Sequence, residues 1–212
     1  MSLPDFFVTH KREVLTLTAE HLWLVGVSML LAIAIGVPLG ILLSRRPAWR
    51  SLVLGASNIM QTIPSLALFG LLLPVPWLGS RADRLAILAL TMYALLPVIR
   101  NTYVGIAGVD APVREAAIGM GLTQRQLLWQ VELPLASSVI IAGIRTATVI
   151  TVGVATIAAA IGAGGLGEFI FRGLAMVDNN VILAGAIPAA LMALSADLLL
   201  ALVQRSLVRT HH

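Results

Sequence analysis

The chain is predicted to be an all-α integral membrane protein, with five transmembrane helices and a polar helical loop between the third and the fourth. Three observations predict this. Of the 212 residues, 58% are apolar and 11% charged, with a mean hydropathy of +0.95; soluble domains carry about 25% charged residues, so the polar surface that would cover a soluble core is missing. Long charge-poor runs recur, each near the roughly 20 residues that cross about 30 Å of hydrocarbon at 1.5 Å per residue. Between the third and fourth runs, residues 110–136 (DAPVREAAIGMGLTQRQLLWQVELPLA) are too polar to cross and too patterned for an irregular loop.

The spans follow in order. Residues 21–44 lie between Glu20 and Arg45, and residues 51–80 between Arg50 and Arg81. The third span runs from after Arg84 to about Ala107 and contains Arg100; the fourth runs over about 135–161 with Arg145 inside; the fifth runs over about 181–204 with Asp197 inside. Lys11 and Arg12 precede the first run as they would in a signal peptide, but its 24 residues exceed an h-region of about 7–15, so it reads as a retained helix. Residues 1–19 read as a short amphipathic or irregular N-terminal segment outside the membrane core, and 20–205 as one transmembrane domain with its loop at about 108–134. Residues 206–212 read as a tail whose His211 and His212 are either native or a tag remnant.

Orientation follows from arginine counting. Arg45, Arg46, Arg50, Arg100, Arg114, Arg125, Arg205 and Arg209 share one side, against Lys11, Arg12, Arg81, Arg84 and Arg172 on the other. The bias puts the N-terminus outside and the C-terminus in the cytoplasm, with Trp23 and Trp77 near the outer interface and Trp49 near the inner one.

The same letters exclude several functions. Without cysteine there is no disulfide framework, iron–sulfur cluster or cysteine-ligated zinc, and His10, His21, His211 and His212 are too scattered to suggest a metal site. The pI near 10.6 arises from 14 Lys+Arg against 10 Asp+Glu without a basic cluster, which does not suit nucleic acid. Residues 162–167 satisfy G-x-G-x-x-G, but a membrane helix precedes them where a dinucleotide site needs a strand; they read as close packing and a flexible backbone before a surface helical turn at 168–173. No G-x-x-x-x-G-K-[ST] occurs and Lys11 is the only lysine, so the chain cannot energise itself in the P-loop manner. A nucleophile elbow, a zinc motif and a paired-carboxylate site are also missing; no catalytic residue and no cofactor bound by this chain are expected.

Ionisable groups within spans are costly unless paired or hydrated. Arg145 and Asp197 lie about 15 Å and about 12 Å from the cytoplasmic side at 1.5 Å per residue, and Arg100 lies at similar depth. Asp197 is expected to pair with Arg145 or Arg100, the alternative being arginines that snorkel or line a wet cavity. Asn58, Gln61, Thr62, Ser65 near Pro64, Tyr93 and Asn101 either line a pathway or serve ordinary helix packing.

Within the loop, Asp110 suits an N-cap, with Pro112 in the first helical turn; Gly119 and Gly121 end that helix. Thr123 with Gln126 fits a capping box for a second short helix, Leu127, Leu128 and Val131 give it an apolar stripe, and Pro134 is expected to stop it. The spacing Glu115-Ala116-Ala117, three residues, Gly121, nine residues, then Val131-Glu132-Leu133-Pro134 resembles the EAA loop of ATP-binding-cassette (ABC) importer permeases, E-A-A…G…I-x-L-P, with Val for Ile. QTIPSLALFGLLLP (61–74), YALLPVIRNTY (93–103), AGIRTATV (142–149), IGAGGLGEFIFRG (161–173) and AGAIPAALMALSAD (184–197) are similar to its osmoprotectant branch, which carries glycine betaine, carnitine and choline.

The resemblance implies a permease subunit of a binding-protein-dependent importer in the bacterial inner membrane. Its implied partners are a second permease subunit, homo- or heterodimeric, two cytoplasmic ABC ATPases that use ATP and Mg, and an extracytoplasmic solute-binding protein. Five helices leave little room for a path within one chain, which independently favours a dimer. By the same resemblance Glu115, Ala116, Ala117 and Gly121 contact the ATPase, while Leu133 and Pro134 fix the return into the fourth span. The rival readings are a permease for another small solute, such as an amino acid, and a structural membrane protein or small channel with no ATPase.

Overall fold

The computed structural model describes residues 3–76 and 81–209, with side chains as far as Ser206. Trp77, His211 and His212 therefore lie outside the described residues. Every regular element among those described is a helix: α1 (Leu3–Thr9), α2 (Lys11–Arg45), α3 (Pro47–Thr62), α4 (Ser65–Leu72), α5 (Ala82–Ala107), α6 (Ala111–Gly119), α7 (Gln124–Leu127), α8 (Leu133–Ala158), α9 (Gly167–Met176) and α10 (Asn179–Arg209). A π turn (Leu128–Glu132) joins α7 to α8, and a 3₁₀ turn (Ala159–Ile161) ends α8.

Four stretches are long and apolar enough to cross a bilayer: Lys11–Arg45, Ala82–Ala107, Gln124–Ile161 and Asn179–Ser206. The fifth expected span is not a straight helix. Its place is taken by α3 and α4, which meet at 98°. The cause is local: Pro64 lacks an N–H and pushes the preceding residue out of the α region, and Ile63 takes the extended conformation, φ −70° and ψ 125°.

The first long helix begins at Lys11, ten residues before the charge-free run, because its polar residues have partners within the fold. Glu13 pairs with Arg172 of α9 at 2.8 Å, and Glu20 accepts from the Gly165 N–H at 3.0 Å. Gly164 and Gly165 hold φ of +84°, a left-handed conformation open to glycine, and a β-carbon on Gly165 would lie 3.1 Å from His21 Nδ1. The G-x-G-x-x-G stretch is thus a turn moulded around Glu20 and His21.

α5 forms the centre of the bundle, between α2 on one side and α8 on the other. Lipid is as apolar as leucine, so close approach and dispersion, not water expulsion, hold such helices together. The core is accordingly rich in alanine: Ala32, Ala86, Ala89, Ala94, Ala147, Ala155 and Ala158 belong to one cluster with Phe69, Leu85 and Leu90. Gly36 and Gly40, four apart on α2, admit α5 to contact; a β-carbon on Gly40 would lie 2.5 Å from Thr102 Cβ. This small-xxx-small pair is readable in the sequence as GVPLG (36–40).

Candidate functional site

Residues 110–136 build two short helices at the end of the bundle where α2 and α5 finish and α8 begins. Asp110 occupies the N-cap of α6, but its side chain makes no capping hydrogen bond, contrary to expectation. The other end is closely specified. The Gly121 N–H donates to the Ile118 carbonyl at 2.9 Å and the Leu122 N–H to the Ala117 carbonyl at 3.2 Å, with Gly121 at φ +86°. That is a Schellman stop, which needs a left-handed residue just past the helix. Thr123 then begins α7 with a reciprocal capping box, its N–H donating to Gln126 Oε1 at 2.9 Å and its Oγ1 accepting from the Gln126 N–H at 3.4 Å.

Pro134 does not stop the second helix. The chain passes through the π turn and on into α8, so Gln124–Ile161 forms one continuous stretch of 38 residues. Pro134 sits in the first turn of α8, where a missing N–H is tolerated, and the widened turn before it absorbs the ring.

The exposed face of α6 carries Glu115 and Ala116, and Gly121 beyond it is open, with nothing within 4 Å of where its β-carbon would stand. Ala117 points the other way and is buried at 2% exposure; Leu127 of α7 is buried as well, and Leu133 and Pro134 are half-buried at the start of α8. The pattern residues therefore divide into an outward set and an inward set. Sequence reading missed that Ile118 and Met120 also face outward, Met120 at 74% exposure. It also passed over Glu132, which is fully buried beside Arg45 and Arg114. Apolar residues left open on a non-spanning helix mark a contact surface.

The polar residues considered for a pathway do not form one surface. Gln61 and Tyr93 meet at the α3–α4 break: Gln61 Nε2 donates to the Tyr93 carbonyl at 2.7 Å, and the Tyr93 hydroxyl donates to the Ile63 carbonyl. Both carbonyls need these partners. Pro97 cannot donate to the residue four before it, Tyr93, and the bend at Pro64 interrupts the ladder at Ile63. Ser65 opens α4 beside the same break. Thr62 donates to Ile59 within its own helix at 2.7 Å, and Asn101 to Pro97 at 2.9 Å. Asn58 instead borders a cavity of about 370 Å³ with Arg50, Arg100 and Tyr103, where Arg50 lies over the Tyr103 ring at 4.9 Å. Replacing Gln61 with Met is expected to cost about 1–3 kcal/mol, the penalty of an orphaned buried carbonyl. Thermal unfolding in detergent measures it, and an unchanged midpoint would refute the clasp.

Arg145 and Asp197 form a two-point ion pair between α8 and α10: Nη2 donates to Oδ2 at 2.6 Å and Nε to Oδ1. Asp197 thus pairs with Arg145 and not with Arg100, which lines the cavity.

A helical bundle built on a central α5, with an E-A-A…G…V-E-L-P helix pair exposed at one end, is a multi-pass membrane architecture that fits the transporter subunits the sequence resembles. Residues 32–210 match the family described as the binding-protein-dependent transport system inner membrane component, and the chain belongs to that family. It is 43% identical to a carnitine transport permease protein of Listeria monocytogenes, covering 92% of this chain and 88% of that one. It is 41% identical to a choline transport system permease protein of Bacillus subtilis (96% and 92% covered). It is 46% identical to an osmoprotectant import permease protein of Salmonella typhimurium (87% of each covered). In fold it matches the inward-facing MetNI methionine ABC transporter with a TM-score of 0.82 at 24% identity, over 98% of this chain and 99% of that one. An amino acid ABC transporter matches with a TM-score of 0.73 at 19% identity, over 97% and 99%. The chain is thus a multi-pass inner-membrane component of a binding-protein-dependent system, with the fold of an ABC permease.

Proposed function

We propose that this chain forms, with a second permease subunit, the translocation path of an ATP-driven importer for quaternary-amine osmoprotectants such as choline, carnitine and glycine betaine. The observation that carries the reading is the outward face of α6, where Glu115 and Ala116 stand beside Ile118 and Met120 at a turn set by Gly121. Such a face suits docking into a groove of a cytoplasmic ATPase: small Ala116 permits close approach, Met120 fills, and Glu115 meets a basic or amide group. In this orientation the N-terminus is outside, and α6, α7 and the C-terminus are cytoplasmic. ATP and Mg act at the ATPase subunits. An external binding protein delivers the solute and performs most of the selection. The second permease subunit covers helices that this chain leaves open, α3 among them, which buries no residue of its own.

The solute class rests on relatives at 41–46% identity. An amino acid remains the alternative solute, since both structural neighbours are named for amino-acid transport, but at 24% and 19% identity they speak for the fold alone. The test is uptake by the full importer in liposomes, with the binding protein outside and ATP inside. Choline, carnitine or betaine is expected to accumulate and to require both. Accumulation of methionine or histidine instead would replace the solute, and downhill flux without ATP would overturn the importer reading.

A further inference from the structure

Glu132 is the one fully buried carboxylate among the described residues, and it lies in the π turn between α7 and α8. Two guanidinium groups reach it from different elements. Arg45, the last residue of α2, donates through Nη1 to Oε1 at 3.2 Å and through Nη2 to Oε2. Arg114, on α6, brings Nε to 3.2 Å from Oε1, an ion pair whose N–H is not aligned as a hydrogen bond. The same Arg114 donates through Nη2 to the Ile106 carbonyl near the end of α5. The carboxylate and its two arginines thus gather the ends of α2 and α5 and the start of α8 onto α6.

Little else holds α6. Its only buried residue is Ala117, Gly121 follows it, and Gly108 precedes it. A helix attached by one alanine would rock on its flanking turns when pushed. We propose that the Arg45–Glu132–Arg114 cluster is the positioning device that makes α6 move as one body with the spanning helices, so that displacement of α6 reaches the path. The position is the unassigned x of the V-x-L-P tetrad, and nothing in that pattern gives it a role. The inference rests on the coupling role proposed for α6 above. Burial makes the carboxylate's two partners mandatory, and its loss would leave two like charges facing each other near the membrane, where screening is weak. A π turn at this point also fits, since such widened turns concentrate at functional positions.

The test uses the assembled importer in liposomes and reads solute moved per ATP hydrolysed. Glu132→Gln keeps the volume and removes the charge. It is expected to leave the ATPase subunits bound and hydrolysing, while solute moved per ATP falls about tenfold, which corresponds to roughly 1.4 kcal/mol of lost linkage. Arg114→Gln frees α6 while Arg45 still neutralises Glu132, so the carboxylate stays paired and the fold holds; the same uncoupling is expected. If either variant keeps the wild-type ratio of transport to hydrolysis, even at lower yield, the cluster is a fold clamp only and the inference is overturned. Gly121→Trp separates the two ideas: if it leaves ATPase binding intact, the docking role of α6 fails, whatever the Glu132 variants do.

Discussion

Gly121→Trp is expected to release the ATPase subunit and abolish ATP-driven uptake while the membrane bundle still folds. Gly121 holds φ +86° at the end of α6, and beyond its chain neighbours no described residue lies within 4 Å of the position its β-carbon would take. The β-carbon of a larger residue meets no other part of the bundle there, so the cost falls on the backbone of the α6 turn and not on the packing of the spanning helices. Two effects fall on the docking face. A non-glycine residue in the left-handed region costs about 1–2 kcal/mol, and each 1.4 kcal/mol is about tenfold in an equilibrium constant. The indole then stands beside Met120 and Ile118, in the space a partner would enter. Gly121→Asn is the discriminating companion, since asparagine tolerates this conformation and is small. It should retain most of the uptake. Co-purification of the ATPase and uptake in liposomes read both, and a Trp variant that transports normally would remove α6 from the coupling pathway.

Asp197→Ala is expected to lower folded yield several-fold and to loosen α10. α10 packs on α8 and α9, and its buried hydrophobic residues, Val181, Ala184 and Ala189, all lie in its N-terminal half. The half that carries Asp197 therefore has little buried apolar surface to hold it. It makes the two-point pair to Arg145 of α8, which stands twelve residues past Leu133, about 18 Å along the helix. Removing the carboxylate strands a guanidinium at membrane depth, where a lone charge is costly. Asp197→Asn keeps a hydrogen-bond acceptor and should fall between. The exchange Arg145→Asp with Asp197→Arg should recover yield that neither single change retains. Wild-type yield and wild-type uptake for Asp197→Asn would show that the pair does not lock the helices.

Much of this architecture was legible because apolar length and capping residues are local signals. Four spans, the capping box at Thr123 and the break after Gly119 all follow from a few adjacent letters. Pro64 and Pro97 were visible as prolines, but their consequences are tertiary. Pro64 turned an apparent span into a pair bent by 98°, and Pro97 left the Tyr93 carbonyl for Gln61 to satisfy. Of the polar groups that either line a pathway or serve packing, Gln61 and Tyr93 thus satisfy backbone carbonyls. Pro134 misled in the opposite sense, since proline near a helix start is tolerated and the π turn removed the break. Glu132 was hidden by its own pattern: its role depends on Arg45, 87 residues away, and no local spacing joins them. Likewise, Ala116 and Ala117 are adjacent and identical in type, and only the helical turn decides that one faces out and the other in.

The central claim, that the α6 face receives an ATPase, is tested most directly by a photo-crosslinking residue placed at Ala116 in the assembled importer within native membranes. The account predicts a covalent adduct with an ATP-binding-cassette subunit from Ala116. The same probe at Ala117, which is buried at 2% exposure, should form none. An adduct from Ala116 with the external binding protein, or no adduct with an ATPase from either position, would contradict it.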